Sequence, residues 1–171
     1  MFLATGLYIG VESDIMKTNN PNPTIQVRNR HEAAELHPKF DAVISVVSHP
    51  GDAAFAHPNH HREYFDDITD PTDWGREPRR DHVKRIIEFA QAQPEGTRFL
   101  VHCQAGISRS TATALGVLAA LGWHEEEALE FLRSTHPADR PFWPNNRVLG
   151  HFDALLGTRL GEVVEDLVLT I

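Results

Sequence analysis

Cysteine is nearly absent from this sequence: Cys103 is its sole thiol. That excludes an internal disulfide and fits a reducing compartment, so the chain is expected in the cytoplasm. It also leaves no second cysteine to resolve an oxidised one, so a sulfenic acid at Cys103 would need a backbone nitrogen or an outside thiol. No segment approaches the roughly 18 apolar residues of a membrane span. The opening Met1-Phe2-Leu3-Ala4-Thr5-Gly6 has neither a basic stretch nor a long apolar core, so no secretory leader is expected. Positive charge is in deficit, with 16 Lys and Arg against 24 Asp and Glu. The resulting net charge of −8 argues against nucleic acid or an anionic membrane surface as the main partner. Internal repeats and low-complexity tracts are missing too.

What is present suits one domain. A chain of 171 residues with 41% hydrophobic content can bury a proper core, so residues 1–171 are expected to form a single unit. Residues 17–23, 49–61 and 68–78 are rich in Pro, Asn, Asp or His and read as loops. His57, His60 and His61 cluster, but no cysteine or spaced acid pair completes a ligand pattern, so they are read as solvated loop residues and no metal is expected.

Apolar patterning gives the remaining elements. Residues 6–11 read as a short strand. Asn29 with Glu32 resembles a capping box opening a helix to about residue 36. Residues 40–47 form a nearly continuous apolar run, as in a buried parallel strand. A short strand is expected over 63–66 and a helix over 81–92, where Val83, Ile86, Ile87 and Ala90 share one face. A strand over 98–102 is followed by a helix over 110–121, apolar almost all round and closed by Gly122. Helices follow over 124–134 and 146–156, and residues 162–171 are ambiguous between helix and strand. Alternating strands and helices predict an α/β fold, with a central, mostly parallel sheet flanked by helices on both sides. Ligands of such sheets bind beyond the carboxyl ends of the strands. The loops holding Ser48-His49-Pro50, Asp66-Asp67 and Cys103 therefore share one crevice.

The chemistry concentrates in His102-Cys103-Gln104-Ala105-Gly106-Ile107-Ser108-Arg109-Ser110. A strand feeds this loop and a helix leaves it. Helix N-termini carry unpaired N–H donors and partial positive charge. A loop with its N–H groups turned inward adds donors. Gly106 permits backbone angles that a Cβ would resist. Arg109 can grip two phosphate oxygens at once. The same field favours the thiolate of Cys103, which is then ready to attack phosphorus. Gln104, Ala105, Gly106, Ile107, Ser108 and Arg109 are the expected phosphate-binding residues. His102 is placed to orient the backbone, and Ser110 to support the sulfur as a leaving group.

This run resembles the signature of the cysteine-based protein tyrosine phosphatases, including the dual-specificity branch. Ala105-Gly106-Ile107 looks especially like the tyrosine-specific members. The resemblance implies a phosphocysteine intermediate and hydrolysis of phosphate monoesters, with a phosphorylated protein or small phosphoester as partner, phosphate- or sulfate-like anions in the loop and no cofactor. It also implies an aspartate acid on a loop some thirty to forty residues before the cysteine. The candidates are Asp66, Asp67, Asp70 and Asp73; Asp67, just after a strand, is the first choice, followed by Asp66 and then Asp70. The Trp-Pro-Asp triplet of the family is missing, although Asp73-Trp74 is there. Trp74 is read as a core aromatic in preference to a lid anchor. Asn145 and Asn146 are read as helix caps in preference to residues that position water. Arg76, Arg79 and Arg80 are read as solvated loop charge.

Three rivals stand beside this reading. A rhodanese-like sulfur transferase also uses a cysteine loop after a parallel strand, but Arg109 and Ser110 favour phosphate. Phosphoinositide phosphatases tend to carry lysines inside the loop, and this loop has none. A phosphate-binding module with weak or no turnover would usually have lost its nucleophile, arginine or acid.

Overall fold

The computed structural model describes residues 25–170. In chain order these form β1 (Ile25–Arg28), α1 (Arg30–Leu36), β2 (Ala42–Val47), β3 (His60–Tyr64), α2 (Arg80–Gln91), β4 (Phe99–His102), α3 (Arg109–Ala120), α4 (Glu125–Thr135), α5 (Asn146–Leu156) and α6 (Leu160–Val168). The strand expected over 6–11 and the loop over 17–23 lie outside the described residues.

All strand pairs of the described sheet are parallel, in the order β1-β4-β2-β3. Parallel strands need both faces covered, and alternate residues divide between two unequal cores. Ile25 and Val27 of β1, Ile44 and Val46 of β2, and Phe99 and Val101 of β4 join the large core with α2, α3 and α5. Val43 and Leu100 point the other way, against Ala33 of α1. Helix α3 runs through the large core with every residue from Arg109 to Leu118 buried. At Gly116 the ring of Phe152 from α5 occupies the space a Cβ would take.

The capping box is present as read. Asn29 Oδ1 accepts from the Glu32 N–H at 2.9 Å, and Glu32 accepts from the Asn29 N–H at 3.1 Å. The structure differs from the sequence reading, or completes it, at five points. Strand β1 was not signalled by periodicity, because its four residues show only two inward side chains. The strand expected over 63–66 lies at His60–Tyr64. It is an edge strand built on its ladder with β2, and ladder hydrogen bonds do not require an apolar run. His60 and His61 therefore belong to a strand and not to a solvated loop, and His60 sits between Phe55 and Ser45. Trp74 is 99% exposed and so is no core residue. The ambiguous C-terminal stretch is helical from Leu160 to Val168, anchored by buried Leu160. Among the described residues no group of histidine, cysteine and carboxylate side chains is arranged to hold a metal ion. No described helix is long and apolar enough to cross a membrane.

Candidate active site

Strand β4 ends at His102, and the loop 103–108 delivers the chain into α3. Cys103 is 2% exposed. Its Sγ lies 3.1 Å from Ser110 Oγ and accepts the Gly106 N–H at 3.2 Å. The loop is held by its carbonyls. The Cys103 carbonyl faces His102 Nδ1 at 3.2 Å, and the Gln104 carbonyl accepts the Arg30 N–H at 3.2 Å. The Ile107 carbonyl accepts from Trp143 N–H, and the Ser108 carbonyl from Asn145 N–H, both at 3.1 Å. In a trans peptide the next N–H points opposite to the carbonyl. The N–H groups of Gln104, Ala105, Ser108 and Arg109 are thereby turned away from these outer partners, which is how an anion nest is made. Gly106 has φ +72°, and a Cβ there would stand 2.9 Å from the backbone at Arg28 and Asn29. Only glycine fits both the angle and that close approach.

Arg109 is 5% exposed, with Nη1 donating to the Phe65 carbonyl at 2.8 Å and to Ser48 Oγ at 3.0 Å. Those two contacts bring the loops after β2 and β3 to the end of the Cys103 loop, as expected of a shared crevice. The cavity measures about 710 Å³ and is bordered by every residue of 103–109 except Gly106, together with Asp67, Trp143 and Asn145. A volume of this size is typical of small-molecule sites.

The three aspartates separate clearly. Asp67 faces the cavity, where its Oδ1 accepts from Ser108 Oγ and from Asn145 Nδ2, both at 2.7 Å. Asp66 turns away. Hydrogen bonds from the Arg76 N–H and from Ser48 hold its carboxyl below the usual range. Asp70 is likewise held low by Thr72, on an exposed turn. Neither Asp66 nor Asp70 borders the cavity, whereas Asp67 does. Asp73 is confined to the same turn, 3.4 Å from the Asp70 N–H.

Asn145 does two things at once. Its Oδ1 caps α5 by accepting from Arg147 N–H and Val148 N–H at 3.0 and 3.1 Å, while its amide reaches Asp67. The capping reading is correct, and the contact with the carboxylate is an addition that sequence reasoning missed. Trp143, 68% exposed at the cavity mouth, was also missed. The Pro141-Phe142-Trp143-Pro144 run was visible in the sequence, but nothing local placed it beside Ile107. Arg76 is not free loop charge, since its guanidinium is bound to the Ser48 carbonyl. Arg79 pairs with exposed Asp81.

The fold has solved counterparts. A mouse dual-specificity phosphatase solved with zinc tungstate superposes with a TM-score of 0.59 at 21% identity, covering 80% of this chain and 84% of that one. A human tyrosine phosphatase-like serine/threonine/tyrosine-interacting protein gives 0.54 at 18% identity, over 78% and 91%. In sequence, mouse protein phosphatase Slingshot homolog 3 is 45% identical over 65 residues, 37% of this chain and 10% of the relative. Rat dual specificity protein phosphatase 15 is 35% identical over 68 residues, 37% of this chain and 28% of the relative. The chain thus spans about a tenth of the length of the first relatives it matches. No family model matches. The described residues share the fold of these phosphatases, and part of the chain is similar in sequence to Slingshot and dual-specificity phosphatases.

Proposed function

We propose that residues 1–171 form one domain that hydrolyses phosphate monoesters through a phosphocysteine. The observation that carries this reading is the outward anchoring of four loop carbonyls around Cys103 Sγ, with the Arg109 guanidinium closing the ring. Such a cradle stabilises the charge on a transferring phosphoryl group by fixed dipoles. The Cys103 thiolate attacks phosphorus and the ester P–O bond breaks. Asp67 delivers its proton to the departing oxygen. Water then attacks the phosphocysteine and the P–S bond breaks. Asp67 recovers a proton from that water, while the Ser110 hydroxyl donates to the leaving thiolate.

Arg109 is the one cation among the described residues bordering the cavity. This favours a singly phosphorylated side chain, tyrosine or dual specificity, or a small aryl phosphate, over a highly charged lipid head group. One solved relative is complexed with zinc tungstate, which contains a tetrahedral oxyanion, and the loop here is suited to phosphate- or sulfate-like anions. A thiolate nucleophile works best in a reducing compartment, which supports the cytoplasm.

The test is hydrolysis of p-nitrophenyl phosphate across pH, without added metal. Cys103→Ser is expected to abolish turnover. Asp67→Asn is expected to lower kcat about 10²–10⁴-fold and to erase the limb of the pH profile that belongs to the acid. Binding of tungstate by a wild-type protein that shows no turnover would replace the enzyme with a binding module.

A further inference from the structure

We propose that Ser45 and His60 are positioning residues of the nucleophile loop, holding His102 in the tautomer that keeps the Cys103 carbonyl turned out of the cradle. The proposal rests on the phosphatase reading for its purpose, but on hydrogen-bond logic for its substance. His102 Nδ1 faces the Cys103 carbonyl. A carbonyl only accepts, so Nδ1 carries the hydrogen. His102 is fully buried, and burial pushes its pKa down to about 4. A neutral imidazole has one N–H, so Nε2 is a bare acceptor.

Ser45 Oγ stands 2.5 Å from that Nε2 and must donate to it. The hydroxyl has a single hydrogen, which this bond uses. The other contact of Ser45 Oγ, with His60 Nε2 at 2.6 Å, is therefore a donation from His60. His60 is neutral as well, its pKa pushed down to about 3 by burial and then by the Arg62 charge. Its Nδ1 is buried without a partner among the described residues, which fits a lone pair better than an N–H. The donor chain thus runs one way, from His60 through Ser45 and His102 to the Cys103 carbonyl.

The surroundings leave the chain no alternative. Phe55 stacks on His60 with centroids 4.9 Å apart and tilts onto His102 at 5.5 Å. His37 covers the other side of Phe55 at 4.4 Å. His57 meets His60 edge-on, and its own nitrogens are committed to Asn59 N–H and the Phe40 carbonyl. Arg62 is tied to the carbonyls of Ala53 and Phe55. Asp52 pairs with Arg30, the residue whose N–H holds the Gln104 carbonyl. Among the described residues no carboxylate bonds either ring, so the ring hydrogens follow from the Cys103 carbonyl at one end and the single hydrogen of Ser45 in the middle. Removing the chain frees His102 to take the other tautomer, which leaves the Cys103 carbonyl without its donor and the Gln104 N–H no longer aimed at the anion.

Two measurements on intact protein test this. Nitrogen-15 NMR of the imidazoles is expected to show His102 protonated at Nδ1 and bare at Nε2 near pH 7; the opposite tautomer overturns the proposal. Alkylation of Cys103 by iodoacetamide at pH 6 and kcat/KM for p-nitrophenyl phosphate are expected to fall about tenfold in His60→Leu and in Ser45→Ala. His60→Gln, whose amide can replace the Nε2 donor, is expected to recover most of both. Equal losses in His60→Gln and His60→Leu, or unchanged alkylation in folded Ser45→Ala, overturn it. A wild-type protein without turnover would defeat the phosphatase reading alone, since tautomer and alkylation would still decide the donor chain.

Discussion

Asn145 shows how much one side chain can be asked to do. It is 1% exposed, caps α5 with its oxygen and holds Asp67 with its nitrogen. The two roles can be separated. Serine is a good helix cap but too short to reach Asp67. Asn145→Ser is expected to stay within about 0.5 kcal/mol of wild type, while Asn145→Ala loses about 1 kcal/mol with the cap. Both are expected to lower kcat about ten- to hundredfold, because the acid loses its fixed position. Thermal unfolding and p-nitrophenyl phosphate turnover check the pair, and full kcat in Asn145→Ser would show that Ser108 alone holds the carboxylate. The nucleophile, the arginine and the three aspartate candidates were all legible in the sequence because each belongs to a short run or follows a strand. The contacts that rank the aspartates were not. Asn145 is 78 residues from Asp67, and Ser45 is 57 from His102. Such pairs exist only after the sheet has brought strand ends together.

At the scale of elements, helix α3 is where sequence preference and packing disagree. Glycine in a helix interior costs roughly 1 kcal/mol relative to alanine, so Gly116→Ala would stabilise an isolated α3. In the fold, the Phe152 ring fills the place of that methyl. Overpacking of a buried site typically costs about 1–3 kcal/mol, which exceeds the propensity gain. Gly116→Ala is therefore expected to lower stability by about 1 kcal/mol net, and Gly116→Ala with Phe152→Leu to recover part of the loss. Urea unfolding of the two variants measures this; a stabilised single mutant would mean that α5 can move away at little cost. The same tension explains which elements the sequence announced. Helix α3, β2 and β4 are buried all round and read as apolar runs. Strand β3 has polar residues satisfied by the fold: Glu63, 4% exposed, is bound bidentately by Arg85 of α2 at 2.8 and 2.9 Å. The first three residues of β3, His60, His61 and Arg62, are polar and have no apolar signature, so the sequence reading starts the strand three residues late.

For the molecule as a whole, the buried imidazoles set how stability answers to pH. His102 and His60 are neutral when folded, with pKa values pushed by burial to about 4 and about 3. Their pKa in the unfolded chain is about 6.5. Below that value the unfolded chain takes up protons that the native state refuses, so stability present at pH 7 drains away as pH falls. One imidazole contributes up to about 1.4 kcal/mol per pH unit, and screening at the half-buried His60 reduces its share. About 1–2 kcal/mol per unit is expected for the pair between pH 6 and 5. The carboxylates act later and with the same sign. Arg140 holds Glu32 low and Arg98 holds Asp41 low, so their contribution is complete above the ordinary carboxylate range and is lost only as pH drops through it. Two phases should therefore appear in urea unfolding free energies taken from pH 7 to pH 3. The first belongs to the histidines and begins near pH 6.5. His60→Gln removes one of its titrating groups while keeping the Ser45 contact, so this variant should lose less stability than wild type between pH 6.5 and 5. A wild-type curve flat down to pH 5 would mean that the His60–Ser45–His102 row opens to water in solution, and the fixed tautomer of the nucleophile loop would go with it.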